Sequence, residues 1–366
     1  MLTNSPKLKV TIANSSSYSR LVLSNILQAQ PDLEVLDTAA DEGSLLASLR
    51  LKKPDVVLAD LNLQNQNNGF FLRQVHLETG LPVLILCEKN KPDADYLTKA
   101  RELGVYDYVL KPAHSLQPKL RDLQQEILEK IRAVPNSNFV STFTAPNAMG
   151  IKVKSALARF KPQGIVVIGA STGGTQAVEQ IIRNLKPRID ACILIAVHLP
   201  GGFTSSFAKR LQSLTTLKVV EGENGRQLEK GKIIIAPGGN NMVLCPSQVQ
   251  PGNMEVKITR ASENDFDKPS VDVLMKSVAG FYGKLALGIV LTGMGKDGTK
   301  GLEAIKKQGG FTVAQDQASS VIFGMAKSAI EKGHVNRVMP LLQIPAFINK
   351  YVAELPAVTK TLHTSI

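Results

Sequence analysis

The chain has 366 residues, 43% of them apolar, and a formal net charge of +12. That length predicts two domains, and the composition predicts ordinary cores. No apolar run approaches the roughly 20 residues that cross a bilayer. Lys7 and Lys9 precede only a short strand-like run and not the apolar core of a signal peptide, so a cytoplasmic protein without membrane insertion is expected.

A basic surface attracts acidic partners. Aromatic residues make up 5%, Trp is absent, and no zinc-finger or RNA-recognition spacing occurs, so nucleic acid is not an expected partner. The cysteines are Cys87, Cys192 and Cys245. An odd, widely spaced set argues against a disulfide framework or a zinc site and reads as small buried hydrophobes.

Residues 8–132 alternate strand and helix patterns. Strand-like runs are Leu8–Ala13, Glu34–Ala40, Asp55–Leu61, Pro82–Glu88 and Tyr106–Leu110, with amphipathic segments such as Ser19–Gln30, Gly69–Thr79 and Asp93–Gly104 between them. Five such βα units predict a parallel sheet covered on both faces, with its chemistry at the carboxyl ends of the strands. Those ends carry Asp60, Cys87 and Lys111. Taken alone, Asp60 is an ordinary polar strand end.

Residues 133–160 change character. Val134–Gly150 is rich in Asn, Ser, Thr, Pro and Ala and reads as a linker; Lys152–Phe160 fits a short helix. A second α/β pattern occupies residues 161–355. Ile165–Ile168 runs into Gly169-Ala170-Ser171-Thr172-Gly173-Gly174 and then a helical pattern, Thr175–Leu185. A Ser in a strand–turn–helix junction is presented beside free N–H groups and positive potential, which suits a nucleophile whose attack makes an oxyanion. A phosphate- or dinucleotide-binding turn is the competing reading, but Ser171 stands where such a fingerprint needs its second glycine.

The next strand, Ala191–Val197, ends in His198, which is either a structural histidine or a general base for Ser171. Leu285–Leu291 leads into Thr292-Gly293-Met294-Gly295-Lys296-Asp297-Gly298. The glycines there satisfy a dinucleotide spacing, yet Asp297 would repel a pyrophosphate, whereas a carboxylate that orients a histidine belongs at such a place. Backbone N–H groups at Thr172, Gly173 and Met294 are the candidates for an oxyanion hole.

Together these segments, with Ala236-Pro237-Gly238-Gly239, Pro269-Ser270-Val271-Asp272-Val273-Leu274 and Ala314-Gln315-Asp316, resemble the signature loops of chemotaxis response-regulator protein-glutamate methylesterases. The resemblance implies two doubly wound parallel-sheet domains, an N-terminal flavodoxin-like receiver and a C-terminal α/β hydrolytic domain. It implies a Ser171–His198–Asp297 triad that hydrolyses γ-glutamyl methyl esters on methyl-accepting chemoreceptors and deamidates glutamine. Neither step needs a metal or organic cofactor. A histidine kinase is an implied partner.

In the receiver, the resemblance makes Asp60 the phosphoryl acceptor and Lys111 its contact, with Tyr108 as the aromatic three residues earlier. The sequence departs from the family there. Asn14 and Ser15 replace the two acids that hold Mg²⁺, and Cys87 replaces a hydroxyl residue. With one carboxylate left, weak Mg²⁺ binding and impaired phosphorylation are expected. Asn241 and Ala326 depart from a usual His and Pro in the second half. Two other classes stay open: a non-catalytic signalling scaffold, which would release methanol no faster than its Ser171→Ala variant, and a nucleotide-binding enzyme, which a dinucleotide would stabilise against heat.

Overall fold

The computed structural model describes residues 7–63, 70–88, 105–111, 120–136, 161–260 and 268–356. The chain divides into two compact units, Met1–Pro146 and Asn147–Ile366. The helix expected over Asp93–Gly104 and most of the expected linker, residues 137–160, lie outside the described residues.

The first unit holds β1 (Leu8–Ala13), β2 (Leu33–Ala39), β3 (Val56–Asp60), β4 (Val83–Glu88) and β5 (Val105–Lys111). They form one parallel sheet in the order β2-β1-β3-β4-β5. Val56–Ala59 are fully buried, as a strand covered on both faces requires. The helix predicted from Ser19 starts at Ser17, because Ser16 caps it: its hydroxyl accepts the Ser19 N–H at 3.3 Å. The last described helix of this unit is Gln124–Ala133, followed by a 3-10 turn at Val134–Asn136.

The second unit is built on seven parallel strands: β6 (Gly164–Ala170), β7 (Ala191–Val197), β8 (Lys218–Glu221), β10 (Lys232–Ile235), β13 (Ala286–Val290), β14 (Phe311–Gln315) and β15 (Arg337–Met339). Their order is β15-β14-β13-β6-β7-β10-β8. The switch of direction lies at β6, whose neighbours are β13 and β7. A crevice outside the carboxyl ends is the expected site position at such a point.

A third, antiparallel sheet of β11 (Asn240–Pro246), β12 (Met254–Arg260) and the two-residue β9 (Arg226–Gln227) joins this unit, in the order β11-β12-β9. The sequence reading did not anticipate it. Its trace in the sequence is alternation, with Met242, Leu244 and Val256 turned into the core.

The helix Val271–Tyr282 lies against the main sheet and buries Val271, Leu274, Met275 and Val278 completely. Each such side chain contributes about 1.5–3 kcal/mol. Its start comes close to β6 because residue 169 is glycine: a Cβ there would sit 2.1 Å from Val271 Cγ1. That approach delivers the first amides of the helix to the site. Cys87 and Cys192 are buried and Cys245 is half-buried; desolvation pushes the Cys87 and Cys192 thiols up to about 12, so both are inert. Among the described residues no helix is long and apolar enough to cross a membrane.

Candidate active site

The three strands β13, β6 and β7 are neighbours, and their carboxyl ends carry the three residues that the sequence singled out. Ala170 pairs with Val197, so the next residues, Ser171 and His198, leave adjacent strands side by side. The His198 N–H extends the ladder by one step onto the Ala170 carbonyl, at 3.1 Å. On the other flank, Ser171 N–H donates to the Thr292 carbonyl at 3.1 Å, which ties the serine turn to the loop that bears Asp297. Ser171 and His198 are half-buried, whereas Asp297 is only 5% exposed.

His198 Nε2 lies 2.9 Å from Asp297 Oδ2. The carboxylate is held from every side. Val271 N–H donates to Oδ2 at 2.6 Å, and Asp272 N–H and Gly298 N–H donate to Oδ1 at 2.8 and 3.0 Å. The Ser270 hydroxyl donates to Oδ1 at 3.1 Å. Val271 and Asp272 open the helix Val271–Tyr282, so the carboxylate sits on a helix N-terminus, where negative charge is stabilised. Burial pushes the Asp297 carboxyl up, but the His198 hydrogen bond and charge and the amides of Asp272 and Val271 outweigh it and hold the group below its ordinary value. Asp297 is therefore ionised at neutral pH.

An ionised acceptor fixes the ring. The nitrogen facing Asp297 carries a proton, so neutral His198 is the Nε2–H tautomer and its basic nitrogen is Nδ1. The sequence reading named the pair but not its support. Asn241 Oδ1 accepts the Ser270 N–H at 2.8 Å, and Ser270 caps the helix by accepting the Val273 N–H at 3.3 Å. Ser270 was legible as a cap before an apolar helical run; Asn241, brought in by the antiparallel sheet, was not.

The serine turn has the expected form. Ser171 leads into the helix Gly174–Arg183, whose cap Gly173 has φ +75°. The N–H groups of Gly173 and Met294 donate none of the hydrogen bonds among the described residues. At the start of the helix Thr299–Lys307, after the second glycine loop, the Gly301 N–H is taken by the Asp272 carboxylate at 2.7 Å.

In the first unit, β3 and β5 bring their ends together at Asp60 and Lys111. Lys111 Nζ and Asn14 Nδ2 both donate to Asp60 Oδ2, at 2.7 and 2.8 Å, in buried surroundings. Asn14 Oδ1 accepts the Ser16 N–H at 2.9 Å, and Ser15 is exposed. The Cys87 thiol donates to the Val109 carbonyl at 3.8 Å. Tyr108 is buried, with Lys130 Nζ on its carbonyl at 2.6 Å and 5.2 Å from its ring centre.

A parallel five-stranded domain with an acid and a lysine at its strand ends, followed by a seven-stranded α/β domain with Ser, His and Asp at its switch point, defines a receiver-linked hydrolase. Residues 10–122 match the response regulator receiver domain, and residues 166–348 match the CheB methylesterase. The chain belongs to the CheB methylesterase family. It is 35% identical to a Pyrococcus horikoshii protein-glutamate methylesterase/protein-glutamine glutaminase, over 94% of each chain. It is 36% identical to a Photorhabdus laumondii protein of the same name, over 92% of this chain and 95% of that one. The solved Thermotoga maritima CheB methylesterase catalytic domain superposes with a TM-score of 0.50 at 39% identity, covering 52% of this chain and 98% of that one.

Proposed function

We propose that Ser171, His198 and Asp297 form a catalytic triad that hydrolyses γ-glutamyl methyl esters on chemoreceptor helices and deamidates glutamine there. The observation that carries this reading is the His198–Asp297 pair at 2.9 Å, on the strand next to Ser171. Ser171 Oγ attacks the ester carbonyl while His198 Nδ1 takes its proton. The N–H groups of Thr172, Gly173 and Met294 are the donors for the oxyanion. Methanol, or ammonia from an amide, leaves with the proton from Nδ1. Water activated by the same nitrogen then hydrolyses the acyl-enzyme. Asp297 stays ionised throughout and stabilises the imidazolium through Nε2–H.

The receiver half of the proposal is that phosphorylation at Asp60 is impaired. The family's Mg²⁺ is a hard cation that needs oxygen ligands with compensating charge. Here the residues do not fit it: the Asn14 amide and the Lys111 ammonium both donate to Asp60 Oδ2, and Ser15 adds no charge. Switching of this domain then rests on contact with a protein partner.

The test is methanol release from methylated receptor membranes by the full chain and by its Ser171→Ala variant. Release that the substitution abolishes supports the triad. Equal slow release by both returns the chain to the scaffold reading.

A further inference from the structure

Thr292 is buried, 1% exposed, and lies between the serine turn, β14 and the loop at Ile322. Every polar atom it has is used. Its N–H donates to Gln315 Oε1 at 2.8 Å, and its carbonyl accepts the Ser171 N–H at 3.1 Å. Its hydroxyl accepts the Ile322 N–H at 2.9 Å, and the hydroxyl proton faces two carbonyls, Thr172 at 3.0 Å and Ile322 at 3.2 Å.

The Thr172 carbonyl belongs to the middle peptide of a tight turn. Gly174 N–H donates to the Ser171 carbonyl at 2.7 Å, and Gly173 has φ +75° and ψ −4°. Those angles are the third-residue angles of a type II turn, whereas type I needs a negative φ there. The two turn types share the closing hydrogen bond and differ by a flip of the middle peptide. Glycine at 173 tolerates either orientation, so the backbone alone does not choose. In a planar trans peptide the Thr172 carbonyl and the Gly173 N–H point in opposite directions. Holding the carbonyl therefore holds the N–H.

We propose that Thr292 is a positioning residue for the oxyanion hole: its hydroxyl keeps the Thr172–Gly173 peptide in the type II orientation that offers the Gly173 N–H to the reacting carbonyl. The flipped turn would replace that donor with a carbonyl oxygen. This inference rests on the triad reading. It adds that the loop bearing the acid also sets the geometry of the nucleophile's turn.

Thr292→Val keeps the volume, including the Cγ2 methyl packed near Gly173, and removes only the hydroxyl. Thr292→Ser keeps the hydroxyl. The experiment measures kcat and KM of the full chain on a receptor-helix peptide carrying a γ-glutamyl methyl ester, and on the same peptide as a methyl thionoester. A thioanion gains little from oxyanion donors, so the oxo-to-thiono rate ratio reports on the hole and does not depend on the folded fraction.

Thr292→Val is expected to lower kcat on the oxoester by about 100-fold, the order seen when one oxyanion donor is removed. KM stays near wild type, the oxo-to-thiono ratio shrinks in proportion, and Thr292→Ser restores both. Where Thr292→Val does not fold, Thr292→Cys, with a weak thiol donor, carries the same expectation. A wild-type ratio in Thr292→Val, or a loss that Thr292→Ser fails to rescue, overturns the inference while leaving the triad intact. If the wild type releases no methanol and Ser171→Ala is no different, the triad reading falls and this inference falls with it.

Discussion

Asp272 and Asp297 cap one another's helices. Asp297 lies in the loop before the helix Thr299–Lys307, yet its carboxylate accepts the N–H of Asp272 in the first turn of Val271–Tyr282, at 2.8 Å. Asp272 in turn accepts the N–H of Gly301 in the first turn of Thr299–Lys307, at 2.7 Å. The helices touch where Gly301 meets Met275; a Cβ on residue 301 would lie 2.6 Å from Met275 Cβ. Asp297, which pairs with His198 at 2.9 Å, is thereby held by both helices. Asp272→Ala leaves the Gly301 amide without its acceptor and is expected to cost about 1 kcal/mol, the usual worth of a cap. Asp272→Asn keeps an acceptor oxygen and should cost less. Urea unfolding of the second unit checks the order; an alanine variant as stable as wild type would refute the mutual capping.

Folding shifts the two carboxyls in opposite directions from their ordinary value, which gives a pH signature. Burial pushes Asp272 up, and the neighbouring Asp297 charge adds to it despite the Gly301 amide. Asp297 is held below 3.8, as burial is outweighed by His198 and two amides. A lowered folded pKa means that Asp297 stabilises the fold above its unfolded value and that this contribution is lost as pH falls through the folded value. A raised folded pKa means that Asp272 favours the fold only while protonated, and this is lost as pH rises through its folded value. Asp272→Asn should therefore gain stability relative to wild type on going from acid to neutral pH, and Asp297→Asn should lose it. Unfolding midpoints measured from pH 3 to pH 7 distinguish the signs.

Asp297→Asn also tests the catalytic assignment. One oxygen of an asparagine can still accept, but its amide nitrogen must then face either His198 and the Val271 N–H, or the Asp272 and Gly298 N–H groups. The variant should lose about 2 kcal/mol or more, since a buried donor is left facing donors. It should also release methanol some 10⁴-fold more slowly, because His198 no longer has its Nε2–H tautomer enforced. Rates measured well below the melting temperature separate the two effects. Activity near wild type would remove Asp297 from the triad.

The strand ends were legible because buried parallel strands are unbroken apolar runs: Ile165–Ile168 and Cys192–Val197 announce β6 and β7, and the polar residue that stops each run is the proposed site residue. Helix ends were less legible. Ser19 reads as a start, but Ser16 does the capping. The antiparallel sheet escaped because β9 has two residues and β11 begins with Asn240-Asn241, which carries no strand signal. Asn241, Ser270 and Thr292 support Ser171 and Asp297 across 27 to 120 positions of sequence, and no local period encodes such contacts.

Two glycines near His198 should behave in opposite ways. A Cβ on Gly238 would lie 2.0 Å from the Pro200 carbonyl oxygen and 2.5 Å from that of Leu199, so backbone would have to move. That backbone is the loop that follows His198, and it is pinned from the other side: Gly238 N–H donates to Thr204 Oγ1 at 2.9 Å, and the Thr204 hydroxyl donates to Glu221. Gly202 has φ +87° and open space around a Cβ. Gly202→Ala is expected to cost about 1–2 kcal/mol for the left-handed conformation and to spare the reaction. Gly238→Ala should cost at least about 1–3 kcal/mol, as overpacking does, and lower kcat by displacing His198. Equal kcat in the two variants would show that the 199–202 loop does not position the histidine.

Asp60 is answered by Lys111 and by the Asn14 amide, two donors where a cation would need acceptors. Asn14→Asp with Ser15→Asp supplies the missing carboxylates, turns the Asn14 donor into an acceptor and frees Asp60 Oδ2 from one partner. Mg²⁺ should then bind, because three carboxylates offer both oxygen ligands and compensating charge. Incubated with acetyl phosphate and Mg²⁺, the wild-type chain should stay largely unmodified and the double variant should gain one phosphoryl group, lost again in Asp60→Asn. Intact-mass measurement reads this directly. Full Mg²⁺-dependent phosphorylation of the wild type at Asp60 would mean that Asn14 gives way to the cation, and that this domain is switched by phosphate after all.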